Sequence, residues 1–499
     1  MASPAAIDAE AVAASFEPVQ SPEAAVDRLC RLYDDAVTAL RGALQVYLEG
    51  GPPPSEADRA TGVFAYPELR IAYAPEGPPP PISRAFGKFS EAGVYAQTIT
   101  RPDLFRSYLI EQIALLQERY DVRVEVGRSH SEIPFSYVLD GAEELDLDAA
   151  EPAELVRHFP YADLSTIGDE LPNGEWAASP GEAKPLSLFD AARTDYSLQR
   201  IRHYTGTPYE DVQHYVLFTN YHRYVDAFVA WAGEQLQAGG PFTALSAAGF
   251  VTVTADDPDP VKAVSQAVWR RYQMPAYHLM APDGKGVTLV NIGVGPSNAK
   301  TITDHLAVLR PECWLMIGHC GGLRHSQRLG DYVLAHAYLR YDSVLDRELP
   351  VEIPIPAIAE IQVALQQAVK AVSGDKGEDL KRRLRTGTVV TYADRNWELR
   401  YQAESRRINQ SRAIAVDMES ATIAANGFRL RVPYGTLLCV SDKPLHGELK
   451  LPGAANRFYQ RAVDEHLRAG LETLDILKRE GAPALHSRKL RSFDEPPFR

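Results

Sequence analysis

The chain has 499 residues, of which 45% are hydrophobic and 24% are charged, so it is long enough for two or three domains with buried cores. Its formal net charge of −14, without a basic run, disfavours binding to nucleic acid or to a membrane surface. Its four cysteines include no C-x-x-C pair, and no apolar run is long enough to span a membrane. The acidic amino terminus lacks the basic region of a signal peptide, so we expect a cytoplasmic protein.

The first third of the chain alternates helices and strands, after about 20 residues that we expect to be frayed. Ser21 and Pro22 begin a predicted helix that ends in the Gly- and Pro-rich run at 50–54. An amphipathic helix is predicted at 101–120. Strand patterns occur at 64–73, 93–100, 122–126 and 135–139. This order predicts a smaller α+β domain with two layers.

The Pro- and Gly-rich segment at 172–185 is the strongest linker candidate, and we place the domain boundary near residue 185. The predicted domains are therefore 1–185, including the linker, and 186–499. In the second domain, buried strands are predicted at 216–218, 242–254, 287–292, 314–317, 332–338 and 389–390, with helices at 225–236 and 261–272. The alternation predicts an α/β domain built on a mixed sheet.

Residues 415–451 are the most informative stretch, and their pattern predicts strand, helix, strand and loop. Glu419 follows the first of these strands and Asp442 follows the second. Ligands bind at the carboxyl ends of the strands in an open α/β sheet, and a carboxylate there can act as a general acid when its surroundings raise its pKa. The structural alternative is that Glu419 caps a helix and Asp442 opens a turn before Pro444.

Two glycine-rich segments follow other predicted strands. The first, Gly293–Lys300, contains Gly295 and Ser297 and leads into a helix, where free N–H groups can bind an anion. The second, Gly318–Leu323, contains His319 and is predicted to be a loop. The first segment has neither the spacing of a P-loop nor that of G-x-G-x-x-G, so a tight turn without a ligand is the alternative for it.

The strings V-D-M-E-S-A-T and C-V-S-D resemble the paired signature of the nucleoside phosphorylase and nucleosidase superfamily. The longer string S-D-K-P-L-H-G-E-L-K-L-P-G resembles its AMP nucleosidase branch. The glycine segments and both acidic motifs follow the superfamily's order over about residues 200 to 480. The resemblance implies a nucleoside-phosphorylase-like catalytic domain, preceded by a regulatory domain. In it Met418 and Glu419 hold the ribose, and Asp442, next to Ser441, faces the purine as the general acid.

The resemblance also implies binding residues outside these motifs. Trp397 would stack on the purine and Asn396 would read its edge. His203 resembles a histidine that reaches a neighbouring subunit's site near the ribose 5′ position, and Arg200 and Arg202 beside it are suited to a 5′-phosphate. The alternatives are a tryptophan that packs in the core and ordinary surface arginines.

Two departures from the phosphorylase pattern bear on the reaction. Phosphorylases hold the attacking phosphate with an arginine and a hydroxyl residue at the positions that are here Met316 and His319. Free phosphate would lose a charge-assisted partner without that cation, which favours water as the nucleophile. T-N-Y-H-R also replaces a second phosphate-binding turn, and only Arg223 is kept.

Together with these departures, the resemblance implies hydrolysis of the N-glycosidic bond of AMP to adenine and ribose 5-phosphate, in purine nucleotide salvage and control of the adenylate pool. No metal or cofactor is expected for the chemistry. The resemblance further implies activation by MgATP, inhibition by phosphate, and a homohexamer. A purine nucleoside phosphorylase, against which Met316 and His319 argue, is one alternative. An inactive nucleotide-sensing protein, against which Glu419 and Asp442 argue, is the other.

Overall fold

The structure is a computed structural model that describes residues 7–78, 80–81, 84–139, 152–179, 181–448, 454–492 and 495–499. The chain divides into two compact units. The first unit is Met1–Gln199 with Ser492–Arg499, and the second unit is Arg200–Arg491. The division lies beyond the boundary predicted near residue 185.

The first unit is built on a five-stranded sheet in the order β1-β4-β2-β3-β5. Its elements are α1 (Ala9–Ala14), β1 (Glu17–Val19), α2 (Pro22–Leu48), α3 (Glu56–Ala60), β2 (Ala65–Tyr73), β3 (Gly93–Thr98), α4 (Arg106–Gln117), β4 (Val122–Glu132), α5 (Pro152–His158), α6 (Glu170–Asn173) and β5 (Lys184–Pro185). Strand β5 is parallel to β3, and the other pairs are antiparallel. Helix α2 packs against this sheet, so the predicted α+β arrangement is confirmed.

Local signals in the sequence account for α2. The Ser21 hydroxyl accepts a hydrogen bond from the N–H of Ala24 at 3.1 Å, which satisfies a free donor at the helix start. Leu29, Leu40 and Leu44 lie on the buried face of the helix and are fully buried. The predicted start of this helix is confirmed.

Two predictions for the first unit were wrong. The segment before α2 was predicted to be frayed; its residues 1–6 lie outside the described residues, and the rest forms α1 and β1, because Val12 is buried and Glu17–Val19 pairs with β4. The strand predicted at 135–139 is instead a 3₁₀ turn, Phe135–Tyr137. This turn buries the rings of Phe135 and Tyr137 without pairing to another strand. The predicted linker ends in β5, which pairs with β3.

Two features tie other parts of the chain into the first unit. Asp195 is buried and accepts hydrogen bonds from the hydroxyls of Tyr66 at 2.6 Å and Thr100 at 2.8 Å. Phe498 is 1% exposed, and its N–H donates to the carbonyl oxygen of Leu186 at 2.9 Å. The carbonyl oxygen of Arg499 accepts from the Tyr108 hydroxyl at 2.7 Å, so residues 495–499 form part of the packed unit.

The second unit begins at Arg200, inside helix α7 (Ala191–Thr205). Its elements are β6 (Tyr215–Thr219), α8 (His222–Gln237), β7 (Ala244–Ala247), β8 (Val251–Val253), α9 (Pro260–Gln266), β9 (Ala276–Met280), β10 (Val287–Asn291), α10 (Pro296–Leu306), β11 (Cys313–Gly322), β12 (Tyr332–Tyr341), α11 (Ala359–Ser373), α12 (Gly377–Arg383), β13 (Leu384–Tyr392), α13 (Tyr401–Ser411), β14 (Ala415–Asp417), α14 (Ser420–Leu430), β15 (Tyr434–Asp442), α15 (Ala454–Glu480) and α16 (Ala482–Leu485). Within the described ranges, every helix is too short or too polar to cross a bilayer.

The ten strands of the second unit form one mixed sheet in the order β14-β13-β12-β15-β11-β6-β10-β9-β7-β8. Strand β14 also pairs with β11, so five of the strands close into a ring. Strands β10, β6, β11 and β15 are parallel to their neighbours in this series, so their carboxyl ends lie along one edge. The predicted mixed α/β sheet is confirmed.

The loop predicted at Gly318–Leu323 is instead the second half of β11, which continues to Gly322. A β-bulge separates Cys320 from Gly321. A Cβ atom on Gly321 would lie 3.0 Å from Val416, and one on Gly322 would lie 2.9 Å from Val440. These two glycines therefore permit close packing of neighbouring strands rather than a turn.

Candidate active site

The carboxyl-end edge of the sheet brings Glu419 next to residues from two other strand ends. Glu419 is fully buried at the start of α14. Its Oε1 atom accepts a hydrogen bond from the N–H of Gly295 at 2.6 Å, and its Oε2 atom accepts one from the side-chain amide of Asn220 at 2.8 Å. Asn220 follows β6, and Gly295 precedes α10. We call Glu419, Gly295 and Asn220 the Glu419 cluster.

The backbone at Gly295 explains why glycine stands there. Its φ of +115° lies in a region that side-chain-bearing residues rarely adopt. This conformation places the residue at the N-cap position of α10, where the first N–H groups have no partner inside the helix. The glycine segment Gly293–Lys300 therefore donates a backbone hydrogen bond to the Glu419 carboxylate of the same chain.

A second buried acid, Asp417, lies two residues before Glu419. Its carboxylate accepts hydrogen bonds from the Thr391 hydroxyl at 2.5 Å, the Ser420 N–H at 2.9 Å and the Ser420 hydroxyl. Burial raises the pKa of Asp417, and these hydrogen bonds oppose that rise. Asp417 thus has its own partners and fixes the start of α14.

The pKa of Glu419 is raised, first by its burial and then by the charge of Asp417. The hydrogen bonds from Gly295 and Asn220 act in the opposite direction, because they stabilise the carboxylate. A backbone hydrogen bond at Met418 acts in the same direction, but the pKa of Glu419 stays above its usual value.

Asp442 is the last residue of β15 and is half-buried. Its carboxylate accepts a hydrogen bond from the Ser441 hydroxyl at 2.6 Å. Gly321 of β11 pairs with Asp442 on one side and with Val416, three residues before Glu419, on the other. Strand β14 is antiparallel to β11, so the chain runs from Val416 back toward Gly318, and the two predicted acids lie at different levels of the carboxyl-terminal half of β11.

Lys443 and His446 follow Asp442 in the sequence and contact other groups. Lys443 is 4% exposed, and its ammonium lies 2.5 Å from the Glu448 carboxylate. The Nε2 atom of His446 lies 3.3 Å from the carbonyl oxygen of Leu323. Lys443 is thus already neutralised by an acid of the chain.

Met316 and His319 lie on β11, beside the Glu419 cluster. Met316 is fully buried, and its methyl group lies 2.9 Å from the position of a Cβ on Gly318. The His319 ring is 9% exposed, with its centroid 5.3 Å from that of Tyr221 and 5.5 Å from that of Tyr224. The position predicted to lack the phosphorylase cation is therefore occupied by an apolar side chain within the strand.

The two residues predicted to contact the base and the sugar meet in one apolar cluster. Trp397 is 5% exposed, and half-buried Met418 packs against the cluster that contains it. The Trp397 ring stacks on Tyr392, with centroids 5.8 Å apart and planes at 14°. These contacts favour the packing role of Trp397, and its stacking on a base stays a prediction. Asn396 is exposed, and its N–H donates to Asp394 at 2.9 Å.

The remaining predicted site residues lie at helix ends. Ser297 is exposed in the first turn of α10, and Arg223 is half-buried in the first turn of α8. In the last turn of α7, His203 is exposed with its ring 5.2 Å from Tyr204, and the Arg202 guanidinium lies 5.1 Å from the centre of the Phe250 ring. Neither of these two contacts includes a residue of the Glu419 cluster. Their roles stay predictions, as does that of Arg200, which is half-buried.

Sequence reasoning missed Asn220 and Asp417. A signal for Asn220 is its place in T-N-Y-H-R, which directly follows a predicted buried strand at the ligand-binding end. Asp417 stands inside the V-D-M-E string. In the part of the chain that the structure describes, no group of three or more His, Cys, Asp and Glu residues is arranged to hold a metal ion.

Comparison with known proteins covers both units. Residues 24–183 match the family described as "Bacterial AMP nucleoside phosphorylase N-terminus", and residues 251–474 match the "Phosphorylase superfamily". The AMP nucleosidases of Escherichia coli K12 and O157:H7 are each 59% identical to the chain over 480 residues, which is 96% of this chain and 98% of theirs.

More distant relatives cover smaller shares of the chain. A 5′-methylthioadenosine/S-adenosylhomocysteine nucleosidase of Bacillus licheniformis is 27% identical over 167 residues, which is 32% of this chain and 69% of that protein. Among solved structures, an AMP nucleosidase from Bacteroides thetaiotaomicron is 27% identical with a TM-score of 0.42, and the match covers 57% of this chain and 98% of that one.

Proposed function

This chain belongs to the AMP nucleosidase family, and on that premise we propose that it hydrolyses the N-glycosidic bond of AMP to adenine and ribose 5-phosphate. The observation that carries the proposal is that both acids lie along the carboxyl-terminal half of β11: Asp442 pairs with Gly321, and the Glu419 partner Asn220 lies against Gly318. A site that cleaves this bond needs a general acid that protonates the leaving base and a hydrogen-bond acceptor for the sugar hydroxyls.

In the proposed reaction, Asp442 donates a proton to N7 of the purine. The bond between N9 and the anomeric carbon breaks, its electron pair stays with the base, and adenine leaves neutral. Glu419 accepts hydrogen bonds from the ribose hydroxyls and orients the sugar as it develops oxocarbenium character. The oxygen of a water molecule then bonds to the anomeric carbon and releases a proton to solvent.

Water rather than phosphate is the proposed nucleophile. Buried Met316 offers no charge at the position where the related phosphorylases carry an arginine. A phosphate dianion entering this part of the site would lose solvation without a charge-assisted hydrogen bond in return. This argument favours hydrolysis over phosphorolysis, and the chemistry that we propose uses no metal or cofactor.

We also propose the regulation and assembly that the resemblance implies. The first unit would be regulatory, with MgATP as an activator and phosphate as an inhibitor, and the chain would form a homohexamer in which His203 reaches a neighbouring site. The support is that Glu419, Asp442 and the hydrogen-bond donors described for them above belong to the second unit, so the first unit is available for regulation. The cytoplasmic location stays a prediction.

The reaction is tested by incubating the purified chain with AMP in phosphate-free buffer and measuring adenine and ribose 5-phosphate. We expect both products in equal amounts without added phosphate. Release of adenine only when phosphate is present would identify a phosphorylase, and no release at any phosphate concentration would indicate a nucleotide-sensing protein. Sedimentation of the full chain and titration with MgATP test the assembly and the regulation.

A further inference from the structure

Asn220 contacts Glu419 but belongs to none of the motifs that carry the superfamily resemblance. Its side chain is half-buried just after β6, and its amide nitrogen lies 2.8 Å from Oε2 of Glu419. We propose that Asn220 is a positioning residue that holds Glu419 as an oriented carboxylate, ready to accept the substrate's sugar hydroxyls. This inference rests on the proposed function of Glu419.

The orientation of the Asn220 amide follows from its surroundings. An ionised carboxylate accepts hydrogen bonds but cannot donate them. The Asn220 amide must therefore present its NH₂ group to Glu419. The amide oxygen then faces β11, where it lies 3.2 Å from the position of a Cβ on Gly318. The absence of a side chain at Gly318 makes room for this arrangement. Asn220 is therefore held between the carboxylate and the backbone of β11.

Glu419 needs such a donor because its surroundings otherwise oppose ionisation. Burial and the nearby Asp417 both raise the pKa of Glu419, whereas the donors Asn220 and Gly295 lower it. The Gly295 donor is a backbone N–H. Asn220 is the one of these two donors that comes from a side chain, so a substitution can remove it without altering a backbone group.

Backbone pairing, rather than this hydrogen bond, holds β6 in the sheet. Strand β6 is held on one side by β10 and on the other by β11, through backbone pairing along its length. The N–H of Ile292 also donates to the carbonyl oxygen of Thr219 at 2.8 Å, directly before Asn220. A substitution at Asn220 should therefore act on Glu419 rather than on the strand.

The test measures kcat/KM for AMP against pH in Asn220→Ala and Asn220→Asp. If Glu419 must be ionised, activity appears above its pKa, and loss of a donor raises that pKa. We expect the acidic limb of the profile to move upward by about one to two pH units, and kcat/KM at pH values below that limb to fall about 10- to 100-fold. Asn220→Asp keeps the shape but brings a second acid, so its loss should be at least as large.

A matched control is Asn409→Asp, which makes the same chemical change at an exposed position of α13. We expect its pH profile to equal that of the unchanged chain. The unfolding temperature of each variant is measured as well. If Asn220→Ala unfolds early, the nearly isosteric Asn220→Asp decides the question.

The outcomes separate this inference from the proposed function. A folded Asn220 variant with an unshifted acidic limb, alongside a strongly impaired Glu419→Gln, would overturn the role of Asn220 alone. Unchanged kcat/KM in Glu419→Gln would overturn the role of Glu419 and this inference with it. Upward shifts in both Asn220 variants, together with impaired Glu419→Gln, would support the assignment.

Discussion

Replacing Gly295 with alanine tests whether the start of α10 holds the carboxylate of Glu419. Gly295 has φ of +115° and ψ of 155°, a region that is nearly restricted to glycine. No atom lies within 4 Å of the position that a Cβ would occupy, so the added methyl group has room. The cost of the substitution is therefore backbone strain, about 1–3 kcal/mol.

The chain can respond to that strain in two ways, and each has its own readout. If the peptide rotates, its N–H leaves Oε1 of Glu419, now 2.6 Å away. A hydrogen bond to a charged group contributes about 1.5–3 kcal/mol, so kcat/KM for AMP would fall about 10- to 150-fold. If the peptide does not rotate, the same strain lowers the free energy of unfolding by about 1–3 kcal/mol.

The assay combines kcat/KM for AMP with denaturant unfolding of Gly295→Ala. Gly374→Ala is the matched control, because Gly374 has φ of +73° after α11 and also has an open Cβ position. We expect the control to lose about 1–2 kcal/mol of stability and to keep its kcat/KM. The reasoning is refuted if Gly295→Ala changes neither quantity, or if the control loses as much activity.

Three further substitutions probe the acids and the packing. Asp442→Asn removes the proposed proton donor and should lower kcat about 10²- to 10⁴-fold, and near-normal turnover at saturating AMP would contradict the role. Phe498→Ala should destabilise the first unit by about 3–5 kcal/mol, seen as faster hydrogen exchange in β2 and β4, and unchanged exchange would argue against its packing role. Burial raises the pKa of Asp195 from 3.8 to about 6, so the folded unit binds this proton more tightly than the unfolded chain. Its stabilising contribution is complete below about pH 3.8 and is lost as pH rises through about 6, a change of about 3 kcal/mol. Asp195→Asn should remove that pH dependence from the exchange of β2, and an equal dependence in both proteins would exclude Asp195 as its source.

The sequence predicted those helices and strands whose position is determined by residues within the same segment. Ser21 and Pro22 define the start of α2, and the buried apolar run after Pro433 predicts β15. In contrast, β11 extends through Gly322 because Val416 and Val440, far away in the chain, pack against its glycines. No spacing within one segment contains that information.

For the candidate site, the sequence predicted the two acids but not the residues that bind them. Strand-end position and family resemblance both singled out Glu419 and Asp442. The donors to Glu419 are 124 and 199 residues away in the sequence, at Gly295 and Asn220, so only the fold could join them to the carboxylate. Trp397 stacks on Tyr392. The pattern of aromatic residues in the sequence does not show whether a tryptophan stacks on another side chain or on a base.

The packing of Phe498 into the first unit has a consequence for biosynthesis. Its partner Leu186 leaves the ribosome about 300 residues earlier, which at about 5–20 residues per second means about 15–60 s. Throughout that interval the apolar site near Leu186 and Tyr108 lacks its aromatic side chain, while the whole second unit is being made. The amino-terminal part of this chain, although synthesised first, can therefore complete its folding only after its carboxyl-terminal segment has arrived.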